Sequence, residues 1–193
     1  MSYFAPQALP RQDETIVFSG KMSYHANVAS VLYLAHEIMP LIWRARPGVK
    51  LWVVGQAPTR AVRALGRDER VKVTGFVPDL RPYLAQATVA VSPIRYGVGI
   101  QNKVLEAMAM GRPVVTSSQA HLALQARPGE GLLVGGSPAT FAEEVLRPLG
   151  DSVLRQELGA NGRRYVEEHH NWFVIAENLG RVYEQVTTEF RRT

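Results

Sequence analysis

The chain has 193 residues, 46% of them hydrophobic, which suits one compact α/β domain, alone or with an appendage. It contains no cysteine, which excludes disulfides and thiolate metal sites and fits a reducing, cytoplasmic compartment. The net charge of +5 comes from arginines spread along the chain, with no recognised nucleic-acid-binding motif, and the sequence carries no signal peptide or membrane-spanning apolar run.

Short apolar strands alternate with helices along most of the chain. After an irregular polar leader, strands are predicted at 15–20, 50–55, 71–75, 88–92, 113–117 and 131–134. Helices are predicted between them at 27–46, 59–66, 79–87 and 101–110. Pro40 should kink or shorten the first helix, and Asp79 should be the N-cap of the third. Three helices without intervening strands follow, at 138–149, 151–169 and 172–190.

This order of elements predicts a Rossmann-like, doubly wound parallel sheet of about six strands with a helical C-terminal tail. The expected divisions are a leader over 1–14, an α/β domain over 15–170 and a C-terminal helix over 171–193. Ligands of such sheets bind outside the carboxyl ends of the strands. Gly20, Gly55 and the loop after the fourth strand are expected at that edge. His25 could face it too, although a lone loop histidine is more often only solvated.

The segment from Gly97 to Val115 reads as a glycine loop, a helix, a glycine stop at Gly111 and a buried strand. Lys103 lies in the first turn of this helix, where the helix dipole disfavours a cation unless a phosphate binds there. Glu106 is the only acid on an apolar helix and needs a polar partner if it is buried, such as a sugar hydroxyl. A mutual Lys103–Glu106 ion pair on a solvated face is the alternative.

The sequence motifs of several common types of binding and catalytic site are absent. There is no P-loop, and the run that begins at Gly97 fails the dinucleotide-binding fingerprint at its last glycine. No nucleophile elbow is present, and His169 and His170 are adjacent, which makes them poor joint metal ligands.

Four segments, in order and spacing, resemble those of a known family: Val53–Gly55, Val73–Val77, Leu84–Pro93 and Leu105–Val115. The chain resembles the C-terminal, nucleotide-sugar-binding half of a retaining GT-B glycosyltransferase of the "glycosyl transferases group 1" family. It is most similar to sugar transferases of exopolysaccharide and PEP-CTERM systems, on the evidence of Phe18–Tyr24, Asn27 and Gly99–Gly111.

The resemblance implies roles for the charged residues. Glu106 matches the second glutamate of the family's Glu-x7-Glu motif, which holds the donor ribose, whereas Val98 stands where the first glutamate is expected. Lys21 matches a basic residue that touches the donor diphosphate. Asn27 stands at a second basic position, so Lys103 is expected to supply that charge.

Arg95 is the next candidate for a phosphate contact, with a surface loop arginine as the alternative. Phe76 and Val77 match the segment that lines the base. The expected donor-binding set is completed by Gly20, Gly55, Gly97, Gly99 and Ile100.

The resemblance further implies transfer of a sugar from a UDP- or GDP-sugar to a glycan or lipid-linked acceptor, without a metal or prosthetic group. It also implies an amino-terminal acceptor domain, absent here, onto which the last helix crosses with Trp172 and Phe173. This chain alone is then expected to be inactive, and the full enzyme to work in the cytoplasm, with peripheral association at the membrane allowed. The alternatives are a GT-B nucleotide-sugar epimerase, a nucleotide-binding or interaction module, and a receiver-like domain. The donor base, the sugar, the acceptor and the oligomeric state stay open.

Overall fold

The computed structural model describes residues 3–10, 12, 14–97, 99–124 and 126–190. These residues form one parallel sheet in the order β3-β2-β1-β4-β5-β6. Its strands are β1 Thr15–Ser19, β2 Lys50–Val54, β3 Val71–Val73, β4 Val89–Ser92, β5 Val114–Ser117 and β6 Leu133–Gly135. The predicted six-stranded Rossmann-like sheet is confirmed. The order reverses between β1 and β4, which differs from the order of receiver-like domains and places the switch point between those two strands.

Nine α-helices connect and follow the strands in the described part of the chain. They are α1 His25–Tyr33, α2 Met39–Ala45, α3 Arg60–Ala64, α4 Arg81–Gln86, α5 Asn102–Ala109, α6 Ser118–His121, α7 Pro138–Gly150, α8 Ser152–His169 and α9 Trp172–Phe190. Helix α6 was not predicted from the sequence. The three C-terminal helices lie within one residue of their predicted bounds.

Pro40 neither kinks nor shortens the first helix in the expected way. A π-helical turn over Leu34–Ile38 joins α1 to α2, and the backbone N–H of Met39 donates to the carbonyl of Leu34. Because proline has no N–H and its ring clashes with the carbonyl four residues earlier, the wider turn lets the helix continue past it.

Asp79 is not the N-cap residue that the sequence suggested, since α4 begins only at Arg81, two residues later. The Asp79 carboxylate accepts from the backbone N–H of Arg81 at 2.9 Å and pairs with its guanidinium at 2.8 Å. The carboxylate therefore stabilises the turn before the helix.

The sheet is covered on both faces, as its nearly continuous apolar strands require. One face packs against α1, α2 and α7, around Phe18, Ile38 and Phe141. The other packs against α4, α5 and α8, around Trp52, Met108 and Val166. These two layers fix the loops at the carboxyl ends of the strands.

Helix α5 ends as predicted, at Gly111 with φ +65°. The N–H groups of Gly111 and Arg112 donate to the carbonyls of Met108 and Ala107, which is a Schellman motif.

Helix α8 lies against backbone through two glycines. A Cβ atom at Gly159 would lie 2.4 Å from the carbonyl oxygen of Gly111, and one at Gly162 would lie 2.9 Å from that of Gly131. Only glycine permits this distance between the helix and the two loops.

Helix α9 leaves an apolar stripe exposed along its length. The residues of this stripe are Ile175, Leu179, Val182, Tyr183, Val186 and Phe190. The side chains of Trp172 and Phe173, which were expected to be exposed, lie outside the described residues. Among the helices that the structure describes, none combines the length and apolarity that crossing a bilayer demands.

Candidate functional site

The carboxyl ends of β1 and β2 come close together through two glycines. Gly20 and Gly55 have φ values of +151° and +147°, which side chains rarely permit. A Cβ atom at Gly55 would lie 1.8 Å from the carbonyl oxygen of Gly20. The two loops therefore leave backbone exposed at the ligand edge of the sheet.

Five of the predicted donor-binding residues line one cavity of about 270 Å³ at this edge. They are Gly20, Lys21, Gly55, Phe76 and Val77. The Phe76 side chain is 73% exposed, which is unusual for phenylalanine and leaves its ring free to contact a planar ligand. This cavity brings a cation and an aromatic ring to the end of the sheet.

Lys103 reaches the same edge from the other side of the switch point. Its ammonium donates to the Asn27 side-chain oxygen and lies 4.6 Å from the centre of the Phe18 ring. The Asn27 amide nitrogen donates in turn to the backbone carbonyl of Lys21 at 3.0 Å. Burial lowers the pKa of Lys103 to about 8, against an opposing field from Glu106. Asn27 thus connects the Lys103 ammonium to the backbone of Lys21.

The expected alternative, a Lys103–Glu106 ion pair, is not formed among the described residues. Glu106 instead lines a second cavity, of about 210 Å³, with Tyr3, Phe4 and His170. Burial raises the pKa of Glu106, and Lys103 opposes this rise. Within the described part of the chain the Glu106 carboxylate has no hydrogen-bond partner, so it is available to bind hydroxyl groups.

The leader forms a wall of this second cavity, a role that the sequence did not suggest. Arg81 donates to the carbonyl of Tyr3 at 3.3 Å and lies over its ring, with 4.1 Å between guanidinium and centroid. Arg163 on α8 donates to the carbonyl of Phe4 at 2.8 Å. The adjacent aromatic residues Tyr3 and Phe4, in an otherwise polar leader, were the sequence feature from which this role could have been predicted.

The N-terminus of α5 points to the ligand edge without a capping side chain. Gln101, its N-cap residue, makes no side-chain hydrogen bond to the helix, and the first turn contains no acid. An uncapped end with a lysine in its first turn favours an anion.

The glycine loop before α5 is fixed at both of its glycines. The Gly97 carbonyl accepts from Gln119 at 3.2 Å, and the Gly99 carbonyl accepts from Gln101 at 3.3 Å. Ile100 is 47% exposed. Val98, the position of the missing glutamate, lies outside the described residues.

Arg95 and His25 contact residues other than the two lysines. The Arg95 guanidinium lies 5.0 Å from the centre of the Tyr33 ring on α1. His25 stacks on Tyr96 with 5.6 Å between the rings, and its Nδ1 lies 3.3 Å from the tyrosine hydroxyl. His25 is therefore more than a solvated loop residue, because it connects α1 to the glycine loop.

No three described residues of the metal-binding types lie together as a potential metal site. The chemistry that the described residues offer at this edge is thus two cations, an uncapped helix end, an aromatic ring and, in the second cavity, a carboxylate.

Comparison with known proteins finds similarity to glycosyl transferases. The profile of the family "Glycosyl transferases group 1" matches residues 13–151. A phosphatidyl-myo-inositol mannosyltransferase from Mycobacterium leprae is 31% identical over 192 residues, which are 95% of this chain and 50% of that protein. The chain therefore spans about half the length of this curated relative.

Two solved structures illustrate the likeness in fold. Sucrose-phosphate synthase from Thermosynechococcus elongatus has a TM-score of 0.76 and 25% identity, covering 97% of this chain and 51% of that one. The Anabaena protein HepE, solved with UDP and glucose, has a TM-score of 0.71 and 15% identity, covering 89% and 48%.

Proposed function

Because the chain belongs to the group 1 glycosyl transferase family, we propose that it is the donor-binding domain of a glycosyltransferase. The observation that carries this proposal is that Asn27 bonds both the Lys103 ammonium and the Lys21 backbone, beside the uncapped end of α5 at the switch point of the sheet. Two cations and free N–H groups suit a diphosphate, which is the part that all nucleotide-diphosphate sugars share.

We assign binding of the nucleoside to residues that surround the proposed diphosphate site. We place the base against Phe76 and Val77 and the ribose hydroxyls on Glu106, whose carboxylate is half-buried and has no hydrogen-bond partner among the described residues. Gly20, Gly55, Gly97, Gly99 and Ile100 complete the proposed donor site with backbone and apolar contacts. HepE was solved with UDP, which supports a nucleotide-sugar donor, and both UDP and GDP are tested below.

In the proposed reaction the bond between the anomeric carbon and the diphosphate oxygen breaks, and the electron pair leaves with the diphosphate. An acceptor hydroxyl oxygen bonds to that carbon from the same side, and its proton passes to the departing diphosphate. Lys21, Lys103 and the α5 N-terminus stabilise the charge that develops on this leaving group, with Arg95 as a further candidate. On this proposal these groups supply the positive charge, and this part of the catalysis needs no metal ion. Retention of the anomeric configuration is part of the proposal.

The acceptor side belongs to a longer protein. This chain spans half of its mannosyltransferase relative, which is named for a lipid acceptor, phosphatidyl-myo-inositol. We propose a glycan or lipid-linked acceptor bound by a second domain, with polysaccharide biosynthesis as the setting and the cytoplasm as the location. The exposed apolar stripe of α9 is the proposed contact with that domain.

Calorimetric titration of the chain with UDP, GDP and inorganic pyrophosphate tests the donor site. We expect one nucleotide to bind, and Glu106→Gln to weaken it by about tenfold to a hundredfold through lost hydrogen bonds to the ribose. Pyrophosphate affinity should change much less in this variant, because only the field of Glu106 on Lys103 is lost. Glu143→Gln, which alters an exposed carboxylate on α7, is the control.

Absence of nucleotide and pyrophosphate binding would overturn the proposed site. Equal losses for UDP and pyrophosphate in Glu106→Gln would remove Glu106 from the ribose. Turnover of a nucleotide sugar by this chain alone would contradict the assignment of the acceptor to another domain.

A further inference from the structure

Asn27 links the two proposed diphosphate-binding lysines, although they come from loops on opposite sides of the switch point. We infer that Asn27 is a positioning residue that holds the Lys103 ammonium beside Lys21 while leaving the positive charge of both free for the donor diphosphate. This inference rests on the proposed function and adds to it a residue that contacts neither sugar nor base.

The Asn27 amide is buried and fully used. Its side chain is on α1, where the residue is only 8% exposed. Its oxygen accepts from the Lys103 ammonium, and its nitrogen donates to the Lys21 carbonyl at 3.0 Å. A buried amide with both ends bonded has one orientation, so the Lys103 ammonium and the Lys21 backbone are held in a fixed relation.

Gly20 provides the space for this amide. A Cβ atom at Gly20 would lie 2.7 Å from the Asn27 side-chain nitrogen, which is closer than such contacts allow. The positive φ of Gly20 and the position of Asn27 therefore depend on each other. The turn that opens the ligand edge also fixes the amide.

An amide suits this position better than the two obvious alternatives. An aspartate would form an ion pair with Lys103 and neutralise it, which would leave less net charge for a diphosphate. An apolar residue would leave the buried ammonium without an acceptor, at a cost in stability. The amide supplies the acceptor and adds no charge.

The charged groups around Lys103 are few. Glu106 lies one turn further along α5, and its field raises the pKa of Lys103. The backbone carbonyl of Lys21 lies on the other side of the Asn27 amide. Burial outweighs the field of Glu106 and lowers the pKa of Lys103 to about 8, so the ammonium loses its proton within an accessible pH range.

The test compares Asn27→Asp with a matched variant, Asn161→Asp. Asn161 on α8 also faces a cation, since its oxygen accepts from Arg164 at 2.5 Å, but it lies outside the proposed donor site. Pyrophosphate and the bound nucleotide are titrated from pH 6.5 to pH 9.5, with thermal melts confirming that each variant is folded.

For the unaltered chain we expect pyrophosphate affinity to fall as pH rises through about 8, the value to which burial lowers the pKa of Lys103. Asn27→Asp should lower affinity by about tenfold near pH 7, the effect of one added charge at a partly screened site. It should also move the fall in affinity to higher pH, because a carboxylate stabilises the ammonium. A merely structural role for Asn27 would change stability without moving this midpoint.

A second measurement needs no variant. The chain has four lysines, Lys21, Lys50, Lys72 and Lys103, so ¹³C labelling at the lysine ε-carbon gives few signals to assign by NMR. Added pyrophosphate should raise the pKa of Lys103 and shift the signals of Lys103 and Lys21, leaving that of Lys50 in place. This arm decides the matter if Asn27→Asp does not fold.

The outcomes separate the two proposals. If neither pyrophosphate nor nucleotide binds the unaltered chain, the proposed function fails and the role of Asn27 fails with it. If both bind but Asn27→Asp behaves as Asn161→Asp does, only the inference about Asn27 is overturned. The same follows if pyrophosphate shifts Lys21 but not Lys103.

Discussion

Replacing Lys103 by methionine should reveal the cost of keeping a cation in the interior. Burial lowers its pKa from 10.5 to about 8, so the folded protein holds this proton less tightly than the unfolded chain does. Below pH 8 the charged amine destabilises the fold. Between about pH 8 and 10.5 the unfolded chain binds more protons, and stability therefore rises with pH across this window.

The size of the effect follows from the two pKa values. Charging Lys103 costs about 3 kcal/mol at pH 7 and about 1 kcal/mol at pH 9.5. Relative to Lys103→Met, the unaltered protein should therefore gain about 2 kcal/mol over this interval. The hydrogen bond to Asn27 largely cancels from the comparison, because a neutral amine still donates. In a chain of this length the gain corresponds to about 4–8 °C in the difference between melting temperatures.

The assay is urea denaturation of both proteins at pH 7.0, 8.0 and 9.5, followed by circular dichroism, with thermal melts alongside. Lys50→Met is the matched control, since Lys50 is exposed at the start of β2. The difference in unfolding free energy between this variant and the unaltered protein should stay nearly constant across the three pH values. A stability difference for Lys103→Met that does not change between pH 7.0 and 9.5 would refute the burial of this charge.

Three further substitutions test how glycines and a buried arginine pack in this fold. Gly55→Ala should destabilise the fold by more than about 3 kcal/mol, because the added Cβ would meet the Gly20 carbonyl. Gly75→Ala should cost only about 1 kcal/mol, because Gly75 also has a positive φ but open space around it. Equal costs of the two substitutions in urea denaturation would contradict the steric argument. Arg112→Met should lower the free energy of unfolding by about 2–4 kcal/mol in the same assay, because the buried guanidinium donates to the Ala85 carbonyl at 3.0 Å. An unchanged free energy of unfolding would mean that water reaches this carbonyl.

Much of the fold could be predicted because its signals are local. The strands are short apolar runs buried on both faces, and each begins within two residues of its predicted start. The end of α5 follows from Gly111 and Pro113, and the amphipathic pattern gave the last three helices. Helix α6 has four residues, too few to show a helical period, and was therefore missed.

The candidate site was only partly predictable, because its contacts join distant parts of the chain. Lys103 and Glu106 share a helix, and spacing alone allowed them to pair. The structure does not pair them, because the Lys103 ammonium donates a hydrogen bond to Asn27, 76 residues away, and the leader covers Glu106. Such partners depend on how helices pack on the sheet, which local sequence does not specify. The roles of these residues in donor binding stay predictions.

Helix α8 bears on the order in which the protein folds. Gly159 and Gly162 each cost its helix about 1 kcal/mol relative to alanine, so the isolated segment is a weak helix former. The same glycines let it lie directly on the backbone at Gly111 and Gly131. Its stability therefore comes from docking, and docking requires the loops around β5 to be in place already. We expect α8 to be consolidated late, after the central strands, and the clamp of Arg163 on the leader to close with it.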